Sequence, residues 1–276
     1  MDSSKIKNII IIILVFLNIV LLSISIYDAR QSNAIDKTEL RAAENILAKN
    51  GISVDDGVKL NKTAPRGCSV VRDGEQEQNN VCHLIGKGNT EDLGGNIRYY
   101  NSANGQASCR GTGEMDMLLE PGTVKSGKDV SKTALRTLEK LGLSGDGKLI
   151  DVIGDGNSYT VSVCCTWDNN TVYNAKMQFS FAGERLIMIS GTRVFDVRTE
   201  TSIVEPMNYT TAILRFIEII NENGYICSKI TGFDAGYIMS VAVSGESVLT
   251  PVWRIETDTG VYYVNAENGR QETVTT

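Results

Sequence analysis

From Asn8 to Tyr27 the chain carries no charged residue and consists mainly of Ile, Leu and Val. At a rise of about 1.5 Å per residue, a helix of this length covers about 30 Å, the thickness of a bilayer's hydrocarbon core. No second run of this kind follows. The pattern predicts a short cytoplasmic tail over 1–7, a single transmembrane helix over 8–27, and a large domain on the far side. Lys5 and Lys7 precede the run, while Asp28, Asp36 and Glu39 follow it. The positive-inside bias therefore puts the N-terminus in the cytoplasm and residues from Asp28 onward outside, a single-pass protein of the cell membrane. A cleaved signal peptide is the competing reading, with small residues Ser32 and Ala34 flanking Asn33. The apolar run, however, exceeds an ordinary signal h-region and ends well before that site.

The net charge is −6, and residues 1–27 contribute +1, which leaves −7 for the rest. A surface of that sign offers no basic patch for nucleic acid or anionic lipid. The six cysteines (68, 82, 109, 164, 165 and 227) contain no C-x-x-C pair, so a zinc site or a thioredoxin-like centre has no support. Export permits disulfides, and Cys68, Cys82 and Cys109 share one glycine-rich region where a pair is conceivable. Cys165 falls on the apolar face of an alternating run and reads as a small buried hydrophobe.

A helix, a glycine stop and then strands recur three times. The helices are predicted over 36–50, 129–141 and 208–223, closed by Gly51, Gly142 and Gly224. Leu40, Ala43, Ile46 and Leu47 stripe the first, and Ala212, Ile213, Phe216, Ile217 and Ile220 the third. Alternation from Ser158 to Trp167 and from Tyr173 to Phe181, with a turn at Asn169-Asn170, predicts an antiparallel meander that continues into 185–189. Hairpins are predicted at 96–110, around Asn104-Gly105, and at 252–265, with a further turn at Asn268-Gly269. These patterns lead to an α+β fold in which helices back antiparallel sheets. The chain divides into a first extracytoplasmic subdomain over 28–124 and a second over 125–276, split at the glycine-lysine stretch after Pro121-Gly122.

Catalytic chemistry is scarcely represented. His83 is the sole histidine, and neither a G-x-S-x-G elbow nor an H-E-x-x-H motif occurs. If the segment is a strand, Cys82 and His83 point to opposite faces and form no dyad. The segment from Gly142 to Lys148 resembles the start of a P-loop, but Leu149 replaces the required Ser or Thr and a helix precedes it, so it reads as a helix cap and turn. Asp151, Asp155 and Asn157 lack calcium-loop spacing, Asp55-Asp56 reads as solvated surface, and Asn-x-Ser/Thr sequons at 61, 169 and 208 matter only in a eukaryotic secretory route. No catalytic, metal-binding or cofactor-binding residue is assigned, and the protein is read as a non-enzyme. In the anchor, Asn18 shares a helical face with Ile11, Leu14, Leu21, Leu22 and Ser25. These six are the candidate contact residues for another transmembrane helix, because a carboxamide in hydrocarbon gains from a partner.

The opening Met1-Asp2, then Ser4-Lys5-Ile6-Lys7-Asn8-Ile9, leading to Leu17-Asn18, resembles that of the YycI family. The segment from Tyr99 to Ala107 and the ending Pro251-Val-Trp-Arg-Ile255 with Gly260-Val-Tyr-Tyr-Val-Asn265 are also similar to it, and the ending is reminiscent of the small PepSY helix-and-sheet module. Ser3 stands where that family has tryptophan. The resemblance implies two YycH/YycI-like subdomains and a non-enzymatic regulator of low-GC Gram-positive bacteria. It also implies two partners, a YycH-like sister protein and a WalK-type sensor histidine kinase that governs cell-wall metabolism. The alternatives are an exported cell-envelope enzyme, a PepSY-like inhibitor of a peptidase or hydrolase, and a sporulation or germination envelope protein.

Overall fold

All fifteen strands among the described residues join into one sheet in the computed structural model. The residues described are Leu14, Asn18, 38–60, 62–127, 129–155, 157–195, 197–241 and 246–274. Helix α1 covers 38–49 and leads into the short strand β1 (Ser53–Val54). Strand β2 (Cys68–Val71) precedes helix α2 (Gly74–Ile85) and a run of four strands: β3 (Asn89–Asp92), β4 (Ile97–Ser102), β5 (Gly105–Arg110) and β6 (Glu114–Leu119). Helix α3 (Val130–Lys140) precedes β7 (Ser144–Asp155), β8 (Ser158–Trp167), β9 (Asn170–Ala182) and β10 (Arg185–Thr192). After β11 (Val197–Thr201), helix α4 (Tyr209–Asn223) precedes β12 (Lys229–Val241), β13 (Ser247–Thr257), β14 (Val261–Asn265) and β15 (Gln271–Glu272).

Strand order along the main path is β11-β2-β13-β12-β9-β10-β6-β5-β4-β3, with β8 and β7 branching from β9 and β14 and β15 from β13. Branching follows from strand length, because a long strand serves different neighbours along its course. Strand β9 pairs with β8 over most of its length but with β12 only at Thr171 and Val172, and that pairing is parallel. Strand β13 pairs with β14 through residues 252–256 and with β2 through 247–249.

The expected fold class is therefore corrected. Strand accounts for 47% of the structure against 23% for helix, and one mostly β sheet replaces separate helix-backed α+β sheets. Local alternation identifies hairpins, but the long-range pairings β6–β10, β9–β12 and β2–β13 that fuse them leave no local mark. The N-terminal transmembrane helix of that expectation has no counterpart among the described residues, where no helix is long and apolar enough to cross a membrane. Of the run 8–27, and of the candidate contacts Ile11, Leu14, Asn18, Leu21, Leu22 and Ser25, only Leu14 and Asn18 are described. Both are helical and exposed, and the Asn18 side-chain amide donates to the Leu14 carbonyl at 2.9 Å.

Two apolar cores lie against the sheet. In one, Ala43 and Leu47 of α1 and Ala212, Ile213, Phe216 and Ile220 of α4 cover Phe233, Trp253, Ile255 and Val264. Helix α4 starts where the Asn208 side chain accepts from the Thr211 amide at 2.9 Å, and it stops at Gly224, whose φ of 66° suits glycine. The other core joins Val81 and Leu84 of α2 to Ala134 and Leu138 of α3, and to Val161, Val163, Met177 and Phe179 of the meander. It also takes in Met115 and Met117 of β6, so residues on both sides of position 125 share it. The meander turns at Asp168 and Asn169, both at positive φ, one residue earlier than the expected Asn169-Asn170. All six cysteines are free thiols, and Cys165 is buried.

Candidate functional site

Alternation along β12, β13 and β14 separates two faces of one sheet. Phe233, Trp253 and Ile255 point under α4, so Asp234, Arg254 and Tyr263, which lie opposite one another in the ladder, occupy the other face. Arg254 is held there on three sides. Its guanidinium pairs with Glu256, takes part in a hydrogen bond with Tyr263, and lies 5.6 Å from the centre of the Tyr173 ring. Burial alone would lower its pKa, but the Glu256 carboxylate and Tyr263 outweigh that and keep the cation charged. Burial pushes the phenols of Tyr173 and Tyr263 upward, so both remain protonated donors.

Tyr173 enters this face at the seam between the meander and the C-terminal strands. There the parallel β9–β12 ladder lasts for only two residue pairs, Gly236 with Thr171 and Tyr237 with Val172. Gly236 makes the approach possible: a Cβ on it would lie 2.4 Å from the Thr171 carbonyl oxygen and 2.8 Å from Tyr173 Cε2. Beyond the second pair, Asn174 substitutes for a strand residue. Its Nδ2 donates to the Met239 carbonyl at 2.7 Å, and its Oδ1 accepts from the Met239 amide at 2.8 Å.

A bulge in β7 supplies the remaining wall. The β7–β8 register jumps between Gly145, opposite Cys165, and Ile150, opposite Val163, so residues 146–149 leave the ladder. Asp146 pins the bulge: its carboxylate accepts from the Lys148 amide at 2.9 Å and from the Thr171 hydroxyl at 2.6 Å. This is the P-loop-like segment. Gly142, at φ 73°, terminates α3, as expected of a helix cap, but Gly145–Lys148 belong to a bulged strand.

The result is a polar cleft of about 460 Å³ that continues into a second cavity of about 260 Å³, with Lys148, Leu149, Tyr173 and Arg254 common to both. Lys62 pairs with Asp234 at the rim. Lys148 and Lys176 form no ion pair among the described residues and leave two ammonium groups on the cleft wall. Cys164 also lines the second cavity, and burial raises its thiol pKa, so it is not poised as a thiolate. Four cations (Lys62, Lys148, Lys176 and Arg254) and four carboxylates (Asp146, Asp151, Asp234 and Glu256) line the two cavities together with the amides of Asn169 and Asn170, an arrangement that suits recognition of a polar group.

A second polar cluster is closed. Asp73 caps α2 by accepting from the amides of Glu75 and Gln76, which places Glu77 on the first turn, facing inward. Glu77 takes a bidentate contact from Arg72 at 2.6 and 2.7 Å, the Tyr100 hydroxyl at 2.7 Å, and Arg193. Glu77, Arg193 and Tyr100 are each no more than 3% exposed. Burial would raise the Glu77 pKa, but the two guanidiniums and the phenol outweigh it and hold the carboxyl below its ordinary value. Beside it, burial pushes the Cys109 thiol up to about 12.

Helix α2 and this cluster were missed at the level of sequence, and His83 lies on that helix, exposed, instead of on a strand. Among the described residues no group of His, Cys, Asp and Glu could hold a metal ion.

No family model matches this chain, and no curated protein matches it. Among solved structures, an uncharacterized protein from Eubacterium rectale ATCC 33656 is similar over 81% of this chain and 90% of that one. The TM-score is 0.49 and the identity 8%.

Proposed function

We propose that this protein is a non-catalytic regulatory protein tethered to the cell membrane with its large domain outside. In this reading it resembles YycI and modulates a WalK-type sensor histidine kinase together with a YycH-like sister protein. The observation that carries the proposal is the N-terminal sequence, in which Lys5 and Lys7 precede the uncharged run 8–27 within the YycI-like opening. The cleft supports it, since its charged and amide side chains offer groups that can bind a partner. Regulation of this kind requires contacts that differ between two states of the kinase, and no chemistry. Contacts are assigned to the helix face of Ile11, Leu14, Asn18, Leu21, Leu22 and Ser25, and outside the membrane to the cleft. The Asn18 side-chain amide donates to the Leu14 carbonyl, and a carboxamide also carries an oxygen that can accept from a neighbouring helix.

Co-purification with the kinase and the sister protein, read alongside a kinase-dependent reporter, tests the proposal. Asn18→Leu is expected to preserve insertion and weaken association by about 1 kcal/mol, a several-fold change. Leucine at Ser23 is the matched control. The purified protein is expected to leave peptidoglycan and peptide or ester substrates intact. Turnover abolished by His83→Ala, or no association with either partner, overturns the assignment.

A further inference from the structure

The smaller chamber of the cleft, about 260 Å³, carries more donors than free acceptors. Lys148, Lys176 and Arg254 line it against two carboxylates, Glu256 and Asp151. The Arg254 guanidinium already engages Glu256. That leaves one exposed carboxylate, Asp151, set against two ammonium groups that form no ion pair among the described residues. The carboxylates of the larger chamber are occupied as well, Asp146 by the Thr171 hydroxyl and Asp234 by Lys62. Two phenols add neutral donors. Tyr173 is 3% exposed and lines both chambers, and its hydroxyl has no hydrogen-bond partner among the described residues. A guanidinium has only donors, so in the bond between Arg254 and Tyr263 the phenol oxygen accepts and its own O–H is left to donate elsewhere. A donor held this deep without a partner is one that a ligand's acceptor can satisfy.

We propose that the smaller chamber binds an anionic head group, a carboxylate or a phosphate, and that the rest of the ligand occupies the larger chamber. Lys148 and Lys176 supply the charge, and the Tyr173 and Tyr263 hydroxyls supply direction. Arg254, neutralised by Glu256, holds Tyr263 in place across the β13–β14 ladder. Cys164 lies opposite Lys176 in the β8–β9 ladder and contributes wall without charge. Lys148 stands on the β7 bulge and Lys176 on β9, so the two ammonium groups reach the chamber from different strands. The inference goes beyond the regulatory reading and does not rest on it, because the ligand is a small anion and no partner protein takes part.

Calorimetric titration of the full chain in detergent, in a buffer free of other oxyanions, tests this. Two probes are used: inorganic phosphate, and N-acetyl-alanyl-alanine compared with its C-terminal amide. Saturable one-to-one binding is expected for at least one of the two anions and not for the amide. Binding of phosphate alone assigns a phosphoryl head group, and binding of the peptide acid alone assigns a terminal carboxylate. Tyr173→Phe keeps the packed ring and removes only the hydroxyl, and Lys176→Gln removes a charge. Each is expected to weaken binding at least about fivefold. Lys148 is exposed on the bulge, so Lys148→Gln disturbs no packing, and it should weaken binding about threefold. Thermal unfolding of each variant checks that the fold is kept. The proposal is overturned if neither anion binds saturably, or if the peptide acid and its amide bind equally. Binding that all three substitutions leave unchanged marks an adventitious ion only and overturns it too.

Discussion

The closed cluster around Glu77 and the open cleft around Arg254 use the same side-chain chemistry to opposite ends. Each brings arginine, glutamate and tyrosine together against a strand ladder, the Glu77 cluster on the core face to which Tyr100 belongs and the Arg254 cluster on the face away from α4. Around Glu77, helix α2 lies over the ladder and the charges leave water. Burying a charge costs far more than exposing it unless partners complete its hydrogen bonds, and here two guanidiniums and a phenol do so. Around Arg254, among the described residues, no helical residue lines the cleft. The β9–β12 ladder ends after two pairs, and the space left is a cleft. The first arrangement positions α2 on the sheet, and the second presents donors and cations to solvent. Composition alone does not separate architecture from recognition; what covers the residues does.

Breaking the closed cluster should have the largest effect. Glu77→Ala leaves two buried guanidiniums unpaired and is expected to cost about 3–5 kcal/mol in urea unfolding. Because the folded Glu77 pKa lies below the unfolded value, the stability it contributes is present above the unfolded carboxylate pKa. It is lost as pH falls through the folded value. Glu77→Gln should therefore flatten the acid limb of the stability profile, and an unchanged limb would show that the carboxylate is not what holds α2 in place.

The seam comes next. Gly236→Ala drives a Cβ toward the Thr171 carbonyl and the Tyr173 ring and should cost about 1–3 kcal/mol, measured by thermal unfolding. Asn174→Ala orphans the Met239 amide and carbonyl and is expected to cost about 1–3 kcal/mol. If either proves neutral, the two halves of the sheet are held together elsewhere. The smallest change is at the cleft rim. Lys62→Ala removes a pair whose side chains are 37% and 50% exposed, and should shift stability by no more than about 1 kcal/mol. A loss as large as at Glu77 would erase the distinction between the two regions.

Sequence pattern located the parts with a local signature. The meander, the hairpins ending at Arg110 and Asn265, and the extent of α4 up to its stop at Gly224 all follow from periodicity and turn chemistry. Alternation in Trp253-Arg254-Ile255-Glu256 already sets Arg254 and Glu256 apart from the core. The rest of the cleft was hidden, because the β7 bulge and the Gly236–Thr171 pairing arise from contacts distant in sequence. Helix α2 escaped notice because its first half, Gly74 to Asn80, has no apolar stripe. Asp73 as a cap and Gly86 as a stop were the signals that mark it. Glu77, read without its helix, looks like one more surface acid.

In the proposed function the open cleft, and not the remote β3 edge, faces a regulatory partner. A photoreactive residue in place of Lys62 at the cleft rim, compared in intact cells with one in place of exposed Glu91 on β3, tests it most directly. Mass spectrometry of the adducts is expected to identify the WalK-type kinase or its YycH-like sister protein from position 62 and neither from position 91. Adducts to those partners from position 91 alone, or equally from both positions, would contradict the claim.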